Sequence, residues 1–159
     1  MTYTWKDYDP ERDGFVEAWL DDEAARFTGC DEGIKAFDAY WRQAPDFLPG
    51  ENYWCKLVCV DDLPLAVIAF NLWLGELSVM EFLVSPEKRR KGHGKSILTE
   101  LLTEFHTICG DDFSSARCVI FPENIASQKA FKEAGFTCTG QSETGDALYF
   151  GYTKTAKKR

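Results

Sequence analysis

The apolar pattern predicts an α/β (α+β) fold: a mixed, mostly antiparallel sheet of about seven strands flanked by about four helices, with a central parallel strand-helix-strand unit. Three observations lead there. Short apolar runs and helically spaced stretches alternate in the order strand, two helices, three strands, helix, strand, helix, two strands. The middle three strands are joined by turns that suit antiparallel pairing, whereas the last of them reaches the next strand through a helix, which calls for a right-handed parallel crossover. With 159 residues and no repeat, low-complexity stretch or linker, residues 1–159 read as a single domain able to bury a core without staples.

Each element has its own signal. Residues 2–6, TYTWK, form a short strand. Asp9-Pro10 opens a helical segment to about Phe27, with Phe15, Ala18, Trp19 and Ala25 as its apolar positions, and a second helix runs from about Glu32 to Arg42. Pro and Gly make QAPDFLPGEN a loop. YWCKLVCV, LPLAVIAFNLW and ELSVMEFLV are three strands separated by DDLP and LGE, an antiparallel meander. Ile97, Leu98, Leu101, Leu102, Phe105 and Ile108 then fall on one helical stripe, with Gly110 placed to cap its end. ARCVIF is a buried strand, and NIASQKAFKEAGF is a helix with Asn124 as N-cap and Gly135 past its end. The last two strands, near 136–142 and 147–154, flank ETGD.

Composition excludes several classes. No basic start with an apolar run and no span-length apolar stretch occurs, so the expectation is a cytoplasmic protein with no membrane partner. The six cysteines lie mostly in apolar runs without a CxxC and read as buried reduced thiols, so no metal site is expected. Net charge is −8, and nucleic acid is an unsuitable partner for such an acidic chain. The locally basic ending KTAKKR reads as a solvated terminus. Charge is uneven: through Asp62 there are 15 acids and 6 bases, and beyond it 11 acids and 12 bases.

The stretch Pro86 to Ser96, PEKRRKGHGKS, carries most of the functional information. Gly92 and Gly94 directly precede a helix, so backbone amides can approach a ligand closely, and a helix start with Arg89, Arg90, Lys91 and Lys95 around it suits a phosphate or pyrophosphate. A solvated basic turn is the plainer alternative. Two phosphate motifs fail on spacing. A Walker A loop needs glycine where Arg89 stands, and the dinucleotide fingerprint needs glycine where Ile97 stands.

Arg89-Arg90-Lys91-Gly92-His93-Gly94, preceded by MEFLVSPE, resembles the R/QxxGxG/A motif of the Gcn5-related N-acetyltransferase (GNAT) superfamily. Asn124, Ser127, Ala130, Phe131 and Gly135-Phe136 resemble its second signature at the expected intervals. The resemblance implies a GNAT-like fold and acetyl-CoA as acyl-donor co-substrate. The backbone from Arg90 through Lys95, including His93, would hold the pyrophosphate; Phe82, Leu83 and Val84 would pair with the pantetheine arm like an added strand. Asn124, Ser127 and Phe131 would line the cofactor arm. It also implies splayed fourth and fifth strands.

Acetyl transfer to an amine needs a base, an oxyanion site and a proton for the leaving thiolate. Glu81 is the candidate base, since carboxylates at matching positions serve so in some members of the superfamily, and strand alternation puts it on one face with Val79 and Leu83. A structural glutamate is the competing reading. An amide near Leu83 is the candidate oxyanion donor. Phe131 stands where many relatives have a proton-donating tyrosine, leaving water, Tyr149, Tyr152 or no specific acid. His93 reads as a solvent-facing loop residue and His106 as a helix-surface residue, neither catalytic.

In the superfamily the N-terminal half walls the acceptor side, and here it is acidic. The expected reaction is therefore acetylation of a primary amine on a small cationic molecule or a protein amino group. Trp19, Tyr40, Trp41, Phe47, Tyr53 and Trp54 are core or loop anchors with pocket lining as a second role. A catalytically weak acyl-CoA-binding domain, acting as a sensor or complex subunit, is the alternative. The oligomeric state stays open, a homodimer being one option.

Overall fold

The three long apolar runs after Gly50 become β2 (Asn52–Val60), β3 (Leu63–Trp73) and β4 (Glu76–Val84), a continuous antiparallel meander. β1 (Thr4–Asp7) pairs antiparallel with β2. β5 (Ser115–Ile120) joins β4 in parallel, and β7 (Leu148–Thr153) and β6 (Thr137–Gln141) complete a seven-stranded sheet in the order β1-β2-β3-β4-β5-β7-β6. The structure, a computed structural model, describes residues 2–154. Most of the KTAKKR ending, expected to be a solvated terminus, lies outside the described residues.

The helices are more broken than their spacing predicts. Instead of one segment from Asp9 to Phe27, a 3-10 helix covers Gly14–Trp19 and a short α1 covers Asp22–Ala25. The cause is Asp21: its backbone is extended and its carboxylate accepts from the Ala24 amide at 2.9 Å, starting a new helix with Asp22 and Glu23 favourably in its first turn. α2 (Ile34–Trp41) begins after Gly33, and the Glu17 carboxylate accepts from the amides of Ile34 and Lys35 at 3.1 and 2.8 Å. The expected loop before β2 contains the short α3 (Ala44–Phe47). The long stripe after residue 92 divides into α4 (His93–Thr103) and α5 (Phe105–Cys109), which ends at Gly110 in a left-handed conformation. α6 (Ile125–Glu133) has Asn124 as its N-cap.

Alternation along the strands sends side chains into two layers. Ile68, Phe70, Leu77 and Val79 pack with Ile97, Leu98, Leu101, Phe105 and Phe131 of α4, α5 and α6. Val67, Ala69 and Leu83 pack on the other face with Val16, Ala24 and Ile34. Burial of this kind contributes about 25 cal/mol per Å² of apolar surface. One charge is built into the first layer: Glu100, at the edge of the α4 stripe, is 8% exposed. It accepts from the amides of Thr2 and Tyr3 and from the Trp5 indole, fastening β1 to α4.

Two irregularities set the geometry of the second half of β4. Ala69 pairs with Glu81 but Phe70 pairs with Val79, so Met80 is an extra residue in the strand, a β-bulge. The bulge resets the alternation. Val79 faces the α4 layer while Leu83 faces the α1–α2 layer, and Glu81, beside Leu83 and Ala69, does not share a face with Val79 as unbroken alternation predicts. The second irregularity is that β4 pairs with β5 only from Glu76↔Ser115 to Val79↔Cys118. Beyond that point the two strands part.

Candidate functional site

Where β4 and β5 separate they leave a cleft of about 450 Å³. Its walls are Val79–Val84 on one side and Cys118–Phe121 on the other. One end is closed by the loop and first turn of α4, the far wall by Asn124, Ser127, Ala130 and Phe131, and the opposite rim by Glu23, Phe27 and Thr28. A strand edge without a partner carries main-chain donors and acceptors that an extended, amide-bearing ligand can satisfy.

The α4 end presents main-chain donors at a helix start, the arrangement that suits an anion. Gly92 caps the helix at φ +80, and Arg90 is also left-handed at φ +63. The first helical bond runs from the Ser96 amide to the Gly92 carbonyl at 3.3 Å, so the amides of His93, Gly94 and Lys95 have no helical partner. A Cβ on Gly92 would meet nothing within 4 Å, whereas one on Gly94 would sit 3.3 Å from the Ala130 Cβ, which is how α4 and α6 come close.

The cations around this turn divide by role. Arg89 is committed to the protein: it donates to Asp21 at 2.8 and 3.1 Å, to the Trp19 carbonyl at 2.9 Å and to the Val84 carbonyl at 3.0 Å. Arg90 donates to Glu23 at 3.0 Å but remains exposed, and Lys95 lines the cleft. Lys91 is exposed and does not line it. His93, expected to face solvent, is half-buried, with its Nδ1 3.4 Å from the Tyr3 hydroxyl. His106 is exposed on α5.

Asn124 and Ser127 line the cleft, and the Asn124 side-chain Oδ1 accepts from the Ser127 main-chain amide at 3.2 Å. Phe131, 4% exposed, meets Phe136 edge-on at 5.0 Å and presents no hydroxyl to the cleft. Neither Tyr149 nor Tyr152 lines the cleft: Tyr149 pairs with Val119 on β5, and Tyr152 packs on Phe136 at 5.5 Å. Phe82, Leu83 and Val84 form the strand wall, with Leu83 itself buried against the α1–α2 layer.

Glu81 opens into the same cleft at the bulge. Its Oε1 accepts from the Gly29 amide at 2.6 Å. Burial pushes the carboxyl from its ordinary 4.5 up to about 7; the Gly29 hydrogen bond opposes the rise and the Asp31 charge adds to it. A carboxyl poised there can exchange a proton near neutral pH.

The six aromatic residues expected on the acceptor side do not line the cleft. Trp54 stacks on Phe70 at 5.6 Å, Tyr53 donates to Asp38 at 3.1 Å, and Tyr40 packs on Trp41 and Phe47. The aromatic residue of the N-terminal half that does line the cleft is Phe27, whose ring lies 6.5 Å from that of Phe121 on the β5 side. Much of the N-terminal acidity is also used internally: Asp13 pairs with Arg12, Asp38 with Arg42 and Asp21 with Arg89. Gly29 and Phe27 carry no sequence signal of function. Asp21 carries a structural signal only, since an Asp before Asp-Glu is a helix-start pattern.

The sequence profile of the acetyltransferase (GNAT) family matches residues 2–136. The chain belongs to that family. Solved structures agree on the fold of this GNAT protein. An aminoglycoside acetyltransferase AAC(6')-Ib in complex with paromomycin and acetyl-CoA superimposes with a TM-score of 0.72 at 16% identity, over 97% of this chain and 94% of that one. A spermidine N-acetyltransferase from Vibrio cholerae, in complex with CoA and spermine, gives 0.72 at 12% identity over 96% and 95%. The Campylobacter jejuni N-acetyltransferase PseH gives 0.65 at 15% identity over 98% and 100%. No curated protein matches the sequence at a significant level. Among the described residues no group of three or more His, Cys, Asp or Glu could hold a metal ion, and no helix is long and apolar enough to cross a membrane.

Proposed function

We propose that this GNAT protein is an acetyl-CoA-dependent N-acetyltransferase acting on a primary amine, carried by a small cationic molecule or a protein. The observation that carries the reading is the meeting, in one cleft, of an unpaired strand edge, a helix start with free amides, and a carboxyl held at about 7. The edge and the helix start fit a ligand with an amide-bearing arm and a diphosphate. Acetyl-CoA supplies an acyl group activated as a thioester.

The chain's own residues supply the rest. The amides of His93, Gly94 and Lys95, with the Lys95 charge, bind the diphosphate; Asn124 and Ser127 border the arm. Glu81 takes the proton that a cationic amine must lose, directly or through water. Phe131 offers no acid, and a thiolate whose conjugate acid has a pKa of about 8.5 leaves without one. The family's solved members in complex with aminoglycosides and with spermine support a cationic acceptor, as does the acidic N-terminal half.

The test is incubation of the protein with acetyl-CoA and a library of amines, following free thiol. Amine-dependent thiol release supports the enzyme. Acetyl-CoA binding without release from any amine would leave a catalytically weak acyl-CoA-binding domain.

A further inference from the structure

We propose that Gly29 is a positioning residue for acetyl transfer: its main-chain amide and its lack of a side chain hold the Glu81 carboxyl in place within the cleft. The inference rests on the reading of Glu81 as the base.

Two observations meet at one oxygen. The Gly29 amide donates to Glu81 Oε1 at 2.6 Å across a sequence separation of 52 residues. A Cβ built on Gly29 would lie 2.8 Å from that same Oε1, closer than real Cβ atoms approach anything. Gly29 is not in the left-handed region, so its backbone conformation does not call for glycine. The space for the Glu81 carboxyl does.

The segment that brings the amide there is fastened on both sides. Upstream, Asp21 caps α1 and is held by Arg89, and Phe27 meets Phe121 across the cleft. Downstream, Cys30 is buried against the sheet. Gly29 itself is exposed. It is therefore a place where a methyl group disturbs Glu81 rather than the core. With Oε1 occupied by the amide, Oε2 is the oxygen left for an acceptor or its water.

The groups around Glu81 make the amide decisive for its protonation. From the same segment come Asp31, whose charge disfavours a second negative charge, and the Cys30 thiol, which burial pushes up to about 12. From β2 comes the Cys55 thiol, also raised by burial; β3 and β4 contribute Val67, Ala69 and Leu83, without charge. Among these neighbours the Gly29 amide is the group that favours the carboxylate.

The experiment compares Gly29→Ala, Glu81→Gln and the double variant, reading kcat against pH and KM for acetyl-CoA. A hydrogen bond to a charged group is worth enough that its loss shifts the carboxyl by about one pH unit or more. Gly29→Ala is therefore expected to move the acidic limb of the kcat profile upward by about one unit. At pH 7 kcat falls about fivefold and recovers towards wild type at alkaline pH, with KM for acetyl-CoA unchanged. In the Glu81→Gln background the same methyl group has no further effect on kcat. Carbon-13 titration of the Glu81 carboxyl, assigned by its absence from Glu81→Gln, reads the same shift without turnover. An unmoved limb and an unmoved titration in Gly29→Ala, with Glu81→Gln impaired, overturn the role of Gly29 and leave the base standing. A Glu81→Gln protein with the wild-type rate and profile overturns both.

Discussion

Arg89 donates to both carboxylate oxygens of Asp21, at 2.8 and 3.1 Å, and so ties the turn before α4 to the start of α1. The two residues lie 68 positions apart, and Arg89 itself borders the cleft. The pair joins the α4 end of the cleft to the segment that carries Phe27 and Gly29. The first arginine of the loop thus acts as a strut, while Arg90 and Lys95 are exposed cations that also border the cleft.

Substitution should separate the strut from the ligand-facing charge. Arg89→Lys keeps the charge but loses the two-pronged fit to Asp21 and the bonds to the Trp19 and Val84 carbonyls, and it is expected to cost about 1–3 kcal/mol of stability. Lys95→Ala is expected to change stability little and to weaken acetyl-CoA binding, most at low salt. Denaturant unfolding and calorimetry at two salt concentrations distinguish them. Equal stability of Arg89→Lys and wild type would show that the strut is not structural.

The glycines of the turn differ in what they tolerate. At Gly92 a side chain finds open space but a left-handed backbone, so Gly92→Ala costs about 1–2 kcal/mol and leaves binding largely intact. Gly92→Glu adds a negative charge beside the free amides and is expected to lower acetyl-CoA affinity by about tenfold or more. Gly94→Glu does so too and also presses on Ala130 of α6. Wild-type affinity by calorimetry in both glutamate variants would remove the turn from the site.

Phe131→Tyr adds a hydroxyl at a residue that is 4% exposed yet borders the cleft. Activity is expected to be retained or raised, with a packing cost of about 1–2 kcal/mol at most. Thiol release and thermal unfolding on the same preparation check both halves. A large loss of rate in a folded variant would mean that Phe131 does not occupy the proton donor's place.

The sheet was legible because its signals are local: apolar runs, short turns, and a helix between β4 and β5. The glycine turn at the start of α4 was legible for the same reason, its glycines and helix start being adjacent in sequence. What escaped depends on pairing between distant segments. The bulge at Met80 reverses the face of Glu81 relative to Val79, and nothing in MEFLV marks it, because a bulge is defined by the partner strand. Arg89 reads as a free cation until Asp21 is brought beside it. The aromatic residues of the N-terminal half read as pocket candidates, yet Trp54 and Tyr53 are held by Phe70 and Asp38 while the less conspicuous Phe27 reaches the cleft.

Glu81→Gln gives two expected outcomes from one substitution. The amide keeps the shape of the side chain and can still accept from Gly29, but it cannot take a proton at neutral pH. Loss of a general base lowers kcat by about 10²–10⁴-fold with acetyl-CoA affinity little changed, and the acidic limb of the rate profile flattens. The second outcome needs no substrate. Folding raises the carboxyl from an ordinary 4.5 to about 7, so the folded state holds this proton more tightly than the unfolded chain. The stabilising contribution of the protonated group is full below about pH 4.5 and is lost as pH rises through 7. Above that, the wild-type fold carries a buried carboxylate at a cost of about 3 kcal/mol or less, reduced by whatever solvent reaches it. Relative to wild type, Glu81→Gln is therefore expected to gain thermal stability at pH 8, the gain shrinking to nothing by about pH 4.5. Melting curves across that range, set beside kcat against pH for the best amine, test both. A stability difference independent of pH would show that the carboxyl is not held high. Equal rates with superimposable profiles would take Glu81 out of the chemistry and leave an ordered water or the acceptor's own deprotonation to start the reaction.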